Sequence, residues 1–543
     1  MNIIGIYEAK RDPRYLLLGL YEVFMRLIKT QAMNSKDQTM MTKPAEKVFV
    51  ETYGCQMNVL DSELVQGQLE SQGYQFVDDS DQADVVLLNT CSVRELSEHK
   101  VWSRLGRLGK ERRVHGKDPI VGVLGCMAER EGKEIVRRMP HVDIVCGPSL
   151  LDQLPTLLNN IRQNRQVQYA LAGTNTRRSA TLEQAMDGVE TLDLSRAFSP
   201  YEAKAQAYVR ITRGCNKFCA FCVVPYTRGA EVHRPPEAIL EEVKRLVDMG
   251  VMEVTLLGQT VNHYAHVDAG RKTSFADLLW LLHEQVPDLP RLRFITSYPR
   301  DFGDDALDVM AAAPRICRYL HIPAQSGSNA LLKSMNRGYT VEEYLGLLDR
   351  ARSRMPDIRL AGDMIVGYPN ESDADHQASI RMLEEAKYKS CFIFKYSPRP
   401  GTVSERRDED NVPEEVKRAR NQELLAVQAR MSLLNNESRL GQTLDVLVEG
   451  KSKLKSQPRS SSDVRLGWET RKNVLADDFV HLSGRTQGDE IVVLEGPESL
   501  IGQIVQVKAQ RATPLTIQGQ LQDENLCSLV QSEGAIESSA LRS

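Results

Sequence analysis

The chain has 543 residues, 41% of them apolar and 26% charged, with a formal charge of −4. That length predicts two to four domains, and the composition is that of a soluble globular protein. The near-balanced charge does not single out a polyanion partner, although local basic patches can hide inside such an average.

The N-terminal apolar run from Tyr15 to Ile28 is broken by Glu22 and Arg26 and has no small-residue cleavage site. It is therefore not read as a secretory signal, and it is too short and too charged to span a bilayer. The ten cysteines are accordingly expected to be reduced, so clustered ones point to metal ligands or nucleophiles rather than disulfides. Residues 1–45 carry no period or motif, and Met33, Met40 and Met41 lie just before the first strand; they are expected to be a loose extension or a mis-assigned start.

From Lys47 the chain alternates. Lys47–Tyr53 predicts a strand and Val59–Gln72 an amphipathic helix. Val85–Leu88, Ile120–Leu124 and Val142–Val145 predict further strands, with helices at Val93–Leu108 and Glu129–Arg138 between them. Alternating β and α elements give a parallel sheet covered by helices. Cys55, Cys91 and Cys126 each stand directly after a strand, which places them along one sheet edge, where ligands bind in open α/β sheets. Each alone could be an ordinary buried cysteine; three at equivalent positions predict a shared site. Cys146 also follows a strand and is a lesser candidate for the same group.

Residues 166–205 are polar and predict an interdomain linker, so the first domain spans 46–165. A second β/α series follows over 206–437. Its strands lie near Val209–Ile211, Val254–Leu257, Leu292–Ile295, Tyr319–Ile322, Ile358–Val366 and Cys391–Tyr396. Six such steps fit a barrel or partial barrel, with its active site at the C-terminal ends of the strands. After the long charged helix Pro413–Asn435, short strands punctuated by glycine predict a small β-barrel over 438–518, followed by a polar tail over 519–543.

The loop after the first barrel strand reads Cys215-Asn216-Lys217-Phe218-Cys219-Ala220-Phe221-Cys222, a C-x₃-C-x₂-C arrangement. A structural zinc site calls for four ligands, and His233 is the nearest candidate for a fourth. A [4Fe–4S] cluster on three thiolates instead leaves one iron open, and that iron can chelate S-adenosylmethionine. Phe218 and Phe221 are expected to shield such a cluster from water.

Placed at the end of a first barrel strand, this loop resembles the radical S-adenosylmethionine signature. Thr52-Tyr53-Gly54-Cys55-Gln56-Met57-Asn58, Asn89-Thr90-Cys91-Ser92-Val93-Arg94-Glu95 and Gly125-Cys126-Met127-Ala128 resemble the methylthiotransferases, and Gln56-Met57-Asn58 points to their MiaB type. The C-terminal part resembles a TRAM domain, an RNA-binding barrel of oligonucleotide-binding shape. The match runs over roughly Lys47 to Gln518.

The resemblance implies an α/β multidomain enzyme: an N-terminal parallel-sheet domain, a partial (β/α)₆ radical barrel and a TRAM barrel. It implies two [4Fe–4S] clusters, one on Cys55, Cys91 and Cys126 and one on Cys215, Cys219 and Cys222, the latter coordinating S-adenosylmethionine. The implied reaction is methylthiolation at C2 of N6-isopentenyladenosine next to the anticodon of tRNA. A 5′-deoxyadenosyl radical abstracts the hydrogen, and sulfur is delivered from the N-terminal cluster. An electron donor such as flavodoxin or ferredoxin, a cytoplasmic location and a monomeric state without membrane contact belong to the same expectation.

Gly258, Gln259 and Asn262 follow the second barrel strand and Gln325 follows the fourth, where the family lines its S-adenosylmethionine pocket. Gly258 could equally be a plain turn glycine. Lys451, Lys453, Lys455, Arg471 and Lys472 lie in a basic stretch suited to phosphate contacts or simply to solvent. The basic stretch Arg104–Lys117 offers the same two readings. Two sibling readings are methylthiolation of threonylcarbamoyladenosine or of a ribosomal-protein aspartate. A non-catalytic iron–sulfur or zinc RNA-binding protein is the alternative from another class.

Overall fold

The computed structural model describes residues 45–92, 95–115, 118–173, 205–452 and 479–522. The expected N-terminal extension, most of the linker, most of the basic stretch after Lys451 and most of the tail lie outside them.

The first domain is a six-stranded parallel sheet. Its strands are β1 (Lys47–Tyr53), β2 (Gln75–Phe76), β3 (Val85–Thr90), β4 (Ile120–Gly125), β5 (Ile144–Cys146) and β6 (Gln168–Ala170), in the spatial order β2-β1-β3-β4-β5-β6. The helices are α1 (Gln56–Glu70), α2 (Glu95–His115), α3 (Cys126–Glu131), α4 (Lys133–Arg138) and α5 (Leu154–Asn164). Both β3 and β4 are buried at every position, as expected of strands covered on both faces. The expected single helix Glu129–Arg138 is two: Gly132, at φ +52°, breaks it, and the first piece starts at Cys126 itself. The expected linker from 166 begins later, because 168–170 forms the edge strand β6.

The barrel strands are β7 (Gln206–Arg210), β10 (Glu253–Leu257), β13 (Arg291–Phe294), β14 (Tyr319–His321), β15 (Arg359–Val366) and β16 (Ser390–Lys395). Two parallel runs, β7-β10-β13 and β14-β15-β16, meet through a bridge between Leu292 and Ile316. Among the described residues β16 and β7 share no ladder, so the barrel is partial, as expected. Two small antiparallel pairs decorate it: β8 (Thr212–Arg213) with β9 (Val232–His233), and β11 (Ala265–Asp268) with β12 (Arg271–Ser274). The helix Glu414–Glu437 then leads to the C-terminal barrel; it follows the helix Asp373–Ala386 and the short helix Val403–Arg407. Leu257, at the end of β10, is buried in the core of the N-terminal domain with Met57, Leu60 and Leu64, so the two domains share apolar packing.

The C-terminal barrel closes from β17 (Thr443–Lys451), β18 (Phe479–Arg485), β19 (Ile491–Pro497), β20 (Ile504–Ala512) and β21 (Ile517–Leu521). The tail expected from 519 is corrected here: β21 runs to Leu521 and pairs with both β19 and β20. No helix among the described residues is long and apolar enough to cross a membrane.

The turn between β18 and β19 docks against the N-terminal ends of the radical-barrel strands. Arg291 donates to the carbonyls of Arg485 and Asp445, both at 2.8 Å. Arg293 binds both oxygens of Glu253 and the carbonyl of Thr486. Arg359 and Arg439 converge on Glu490 at 2.8 and 3.0 Å, and Lys389 pairs with Asp489 at 2.7 Å. Burial alone would raise the Glu490 carboxyl, but Arg439 and Arg359 outweigh it and hold the group below its ordinary value; Lys389, Arg485 and Arg293 do the same for Asp489.

Carboxyls depressed in the folded state contribute stability that is complete above their unfolded values of about 4 and is lost as pH falls through the folded ones. We therefore expect Asp489→Asn/Glu490→Gln to destabilise the chain at pH 7 by roughly 3–5 kcal/mol, the usual cost of orphaning buried cations. Its urea midpoint should also change less than the parent's between pH 5 and pH 2. Equal midpoints for the two proteins at pH 7 would refute this.

Candidate active site

The strands β1, β3 and β4 are neighbours, and their register aligns Tyr53 with Thr90 and Thr90 with Gly125. The chain therefore leaves the sheet at one level three times, and Cys55, Cys91 and Cys126 follow those exits. Gly54 and Gly125 make the tight turns possible at φ +141° and +89°; a Cβ on Gly54 would collide with Cys91. Cys55 caps the start of α1, Cys126 is the first residue of α3, and the Cys91 N–H donates to the Tyr53 carbonyl at 2.9 Å.

A polar base holds this group. Asn58 Nδ2 donates to Asn89 Oδ1 at 3.1 Å, and Asn89 Nδ2 donates to the Asn58 carbonyl and to Ser62 Oγ. Cys55 Sγ lies 3.2 Å from Asn58 Oδ1. A hydrogen bond with Cys91 draws the Cys55 thiol down to about 6 against its burial, helped by the charge of Arg228 and the N–H groups of Asn58 and Met57. Burial pushes the Cys126 thiol up, and Arg228 offsets part of that rise.

Arg228 comes from the barrel, six residues after Cys222, and reaches into the N-terminal domain. Its Nη2 donates to Asp61 Oδ2 at 2.8 Å, while Arg210 Nη1 reaches Asp61 Oδ1 at 3.3 Å, and all three side chains are buried. Arg228 Nη1 is buried without a partner among the described residues. A buried donor of this kind beside two sulfurs fits an anionic, thiolate-held group at the three cysteines.

Cys146 does not join them. Its register partner is Leu124, so it is the last residue inside β5 rather than the first beyond it. Its side chain lies in the core, with Sγ 3.2 Å from the Leu150 carbonyl, and burial pushes its thiol far above the ordinary value.

The C-x₃-C-x₂-C loop follows β7 and β8. Gly214, at φ +70°, presses against the Ala230 carbonyl, where a Cβ would collide, and Phe218 turns the loop at φ +49°. Three bonds pin it: Ala220 N to the Met335 carbonyl, Asn336 Nδ2 to the Phe218 carbonyl, and Ser404 N to the Ala220 carbonyl. Cys215 and Cys222 are pushed up by burial. Cys219 instead has a cation beside it, with Arg337 Nη1 at 3.2 Å. Arg337 is held by the Tyr339 hydroxyl and the Pro323 carbonyl and lies 4.6 Å over the Tyr298 ring. Of the two expected shielding rings, Phe221 packs on the barrel core, whereas Phe218 is 40% exposed and faces solvent.

Gly258 must be glycine, since a Cβ would strike Thr212 Oγ1. Gln259 follows it, half-buried, and Thr260 Oγ1 lies 3.6 Å from Cys215 Sγ. Asn262 uses both ends of its amide on the Tyr298 backbone, at 3.0 and 2.7 Å, and so ties the loops after β10 and β13 together. Gln325 is buried at φ +77°, and its backbone bridges to Asp363 and Ile365 of β15. Lys451 is exposed and paired with Glu498 at 2.8 Å; Lys453, Lys455, Arg471 and Lys472 lie outside the described residues.

Residues 47–147 match the family described as Uncharacterized protein family UPF0004, and residues 209–383 match the Radical SAM superfamily. A tRNA-2-methylthio-N(6)-dimethylallyladenosine synthase of Rhodopirellula baltica is 40% identical over 491 residues, covering 90% of this chain and 98% of that protein. Proteins of the same name from Porphyromonas gingivalis W83 and Agrobacterium fabrum are 39% and 43% identical, covering 88% and 76% of this chain and 96% and 89% of theirs. The chain belongs to this synthase family.

Within this synthase fold, both cysteine groups have a buried arginine beside them, Arg228 and Arg337, that no sequence signal marks. Each comes from a segment remote from one or both cysteine groups, and an isolated arginine reads as surface. Asp61, inside α1, belongs to the stretch Asp61-Ser62-Glu63 that resembles the methylthiotransferases, but its pairing with two arginines of the barrel is not readable from the sequence. In the stretch Arg104–Lys117, one candidate for RNA contact, three arginines have partners within the protein. Arg104 is buried against Glu51 and Ser80, Arg107 pairs with Glu111, and Arg112 pairs with Asp118.

Proposed function

We infer that this chain is the tRNA methylthiotransferase its relatives are named for, acting at C2 of N6-isopentenyl (dimethylallyl) adenosine. The observation that carries the reading is family membership over about nine-tenths of the chain. S-adenosylmethionine and iron–sulfur chemistry belong to the radical family that residues 209–383 match. We propose two [4Fe–4S] clusters, one on Cys55, Cys91 and Cys126 and one on Cys215, Cys219 and Cys222. When bound, these groups supply one-electron activation of an inert C–H bond and the sulfur to be inserted.

The chain's own residues prepare for them in two ways. Cys55 already favours its thiolate, while Cys215 and Cys222 stay protonated until a metal displaces the proton. Arg228 and Arg337 supply buried positive charge where three thiolates would otherwise accumulate uncompensated negative charge. Gln259 and Gln325, which follow β10 and β14, are proposed as polar contacts to a cofactor chelated there, with Gly258 giving close backbone approach and Asn262 fixing the loop.

The adenine has to leave the anticodon-loop stack to be reached. Phe392 and Phe394 on β16, 51% and 36% exposed and stacked at 6.4 Å, share a sheet face with His321 and Asp363 and offer such a base a platform. Lys451 and the basic stretch after it, including Lys453, Lys455, Arg471 and Lys472, then serve phosphate contacts on the RNA. A flavodoxin- or ferredoxin-type donor, action as a monomer and a cytoplasmic setting, where tRNA is found, complete the proposal.

The deciding experiment is nucleoside mass spectrometry of tRNA from a deletion strain with no paralogue. The 2-methylthio form should vanish, the isopentenyl precursor should accumulate, and the gene in trans should restore the product. Persistence of the methylthio form, or loss of methylthio-threonylcarbamoyladenosine instead, overturns the substrate assignment.

A further inference from the structure

We propose that Glu231, His233 and His263 form a binding site for a divalent cation of the zinc type, separate from both cysteine groups. The three come from two loops on the barrel mouth. Glu231 lies just before β9 and His233 ends that strand, in the hairpin that follows the cysteine loop, and His263 ends the short turn Val261–His263 after β10. One ligand-capable atom from each lies within 4.8 Å of the others.

The local bonding is incomplete without an ion. His263 Nδ1 and Glu231 Oε2 meet at 2.7 Å, but Glu231 is only 2% exposed and its second oxygen is buried without a partner. His233 Nδ1 is likewise buried without a partner. Glu231 Oε1 and His233 Nδ1 are thus two buried polar atoms left unsatisfied in a cluster whose ligand atoms lie within 4.8 Å of one another, and a cation held among the three side chains can satisfy them. The pairing of His263 with Glu231 explains one carboxylate oxygen and leaves the other unexplained.

The donor set decides the metal class. Two imidazoles and one carboxylate suit zinc and its first-row neighbours, whereas magnesium and calcium prefer oxygen donors throughout. Three protein ligands leave further positions to water, as in open rather than closed zinc sites. Burial, the largest influence, favours a neutral His233, the form a ligand must have. An ion there would clip the hairpin after the cysteine loop to the loop carrying Gln259 and Asn262. His233, the nearest histidine to the cysteine loop in sequence, thus has a role other than that of a fourth ligand to it.

The test uses the full chain with its iron–sulfur clusters assembled anaerobically, so that the six cysteines are occupied. It is dialysed against zinc and then against zinc-free buffer. About one zinc per chain should remain by mass spectrometry of the metals. X-ray absorption at the zinc edge should show a shell of nitrogen and oxygen only, at about 2.0–2.1 Å, with imidazole scattering beyond it. The His233→Ala/His263→Ala variant, with its iron content intact, should bind zinc at least tenfold more weakly. If that variant loses iron, His263→Asn, at a half-exposed position, is held to the same tenfold criterion. No retained zinc, sulfur in the zinc shell, or undiminished zinc in the variant that keeps its iron each overturns the site.

Discussion

Replacing Cys215, Cys219 and Cys222 together by alanine is expected to leave a folded protein with about half the iron and sulfide of the parent and no cleavage of S-adenosylmethionine. Replacing Cys55, Cys91 and Cys126 together should also remove about half, yet leave reductive cleavage of S-adenosylmethionine running while methylthiolated nucleoside falls below detection. The asymmetry follows from the geometry. Each group closes on its own backbone, one on the aligned ends of β1, β3 and β4 and the other on a single loop pinned by Met335, Asn336 and Ser404. Each also has its own buried arginine, so neither group depends on the other for its charge balance. Trimming a buried cysteine to alanine costs only on the order of 1 kcal/mol, so loss of iron rather than loss of fold is the result to be read. Iron and sulfide analysis with chromatography of 5′-deoxyadenosine checks both variants. Cleavage that survives in the first, or that disappears in the second, would contradict the division of labour.

The alternation of strands and helices was legible because strands buried on both faces are short apolar runs, as in Val85–Leu88 and Ile120–Leu124. The cysteines were legible because each follows such a run. What was lost depends on register or on distant partners. Cys146 and Cys126 both look like strand-end cysteines, but Cys146 pairs with Leu124, two residues short of Cys126 in register, and so stays inside its strand and in the core. The helix α5 opens with Leu154-Pro155, and proline in a first turn is easily taken for a break. The strand β21 reads Ile-Gln-Gly-Gln-Leu: only Ile517 and Leu521 are buried, and Gly519 is there because a Cβ would press on Val507 and Lys508.

Charged residues misled most. Arg291 and Arg293 on β13 look like the solvent side of an edge strand. In the fold they are buried, and they hold the C-terminal barrel through carbonyls some 150 to 190 residues away. A charge is readable from sequence only when its partner is local, as on an i,i+4 helix face. Here the informative charges are the nonlocal ones: they join the domains and flank the cysteines.

Asp61→Ala is expected to be the most damaging single substitution outside the cysteines, because Asp61 is fully buried and bonded to two buried guanidiniums from another domain. Removing it takes from Arg210 and Arg228 the carboxylate to which both are bonded, at buried positions, at a cost of roughly 3–5 kcal/mol. That is a large part of the 5–15 kcal/mol that holds a typical fold together. The loss should appear as a lower urea midpoint. The second consequence concerns the site: Arg228 helps lower the Cys55 thiol and offsets the burial of Cys126. An Arg228 released from Asp61 no longer sits at a fixed distance from either sulfur, so the iron of the N-terminal group should be retained less well.

A pair of variants separates stability from site. Asp61→Leu/Arg210→Met replaces part of the ion cluster by apolar packing and should regain some of the midpoint lost in Asp61→Ala, since buried ion pairs are often matched by well-packed hydrophobic residues. It should not regain the iron, because Arg228 still lacks its anchor. If the double variant recovers both, Asp61 acts through the fold alone; if Asp61→Ala unfolds within about 1 kcal/mol of the parent, the buried cluster is not what fastens the barrel to the N-terminal domain.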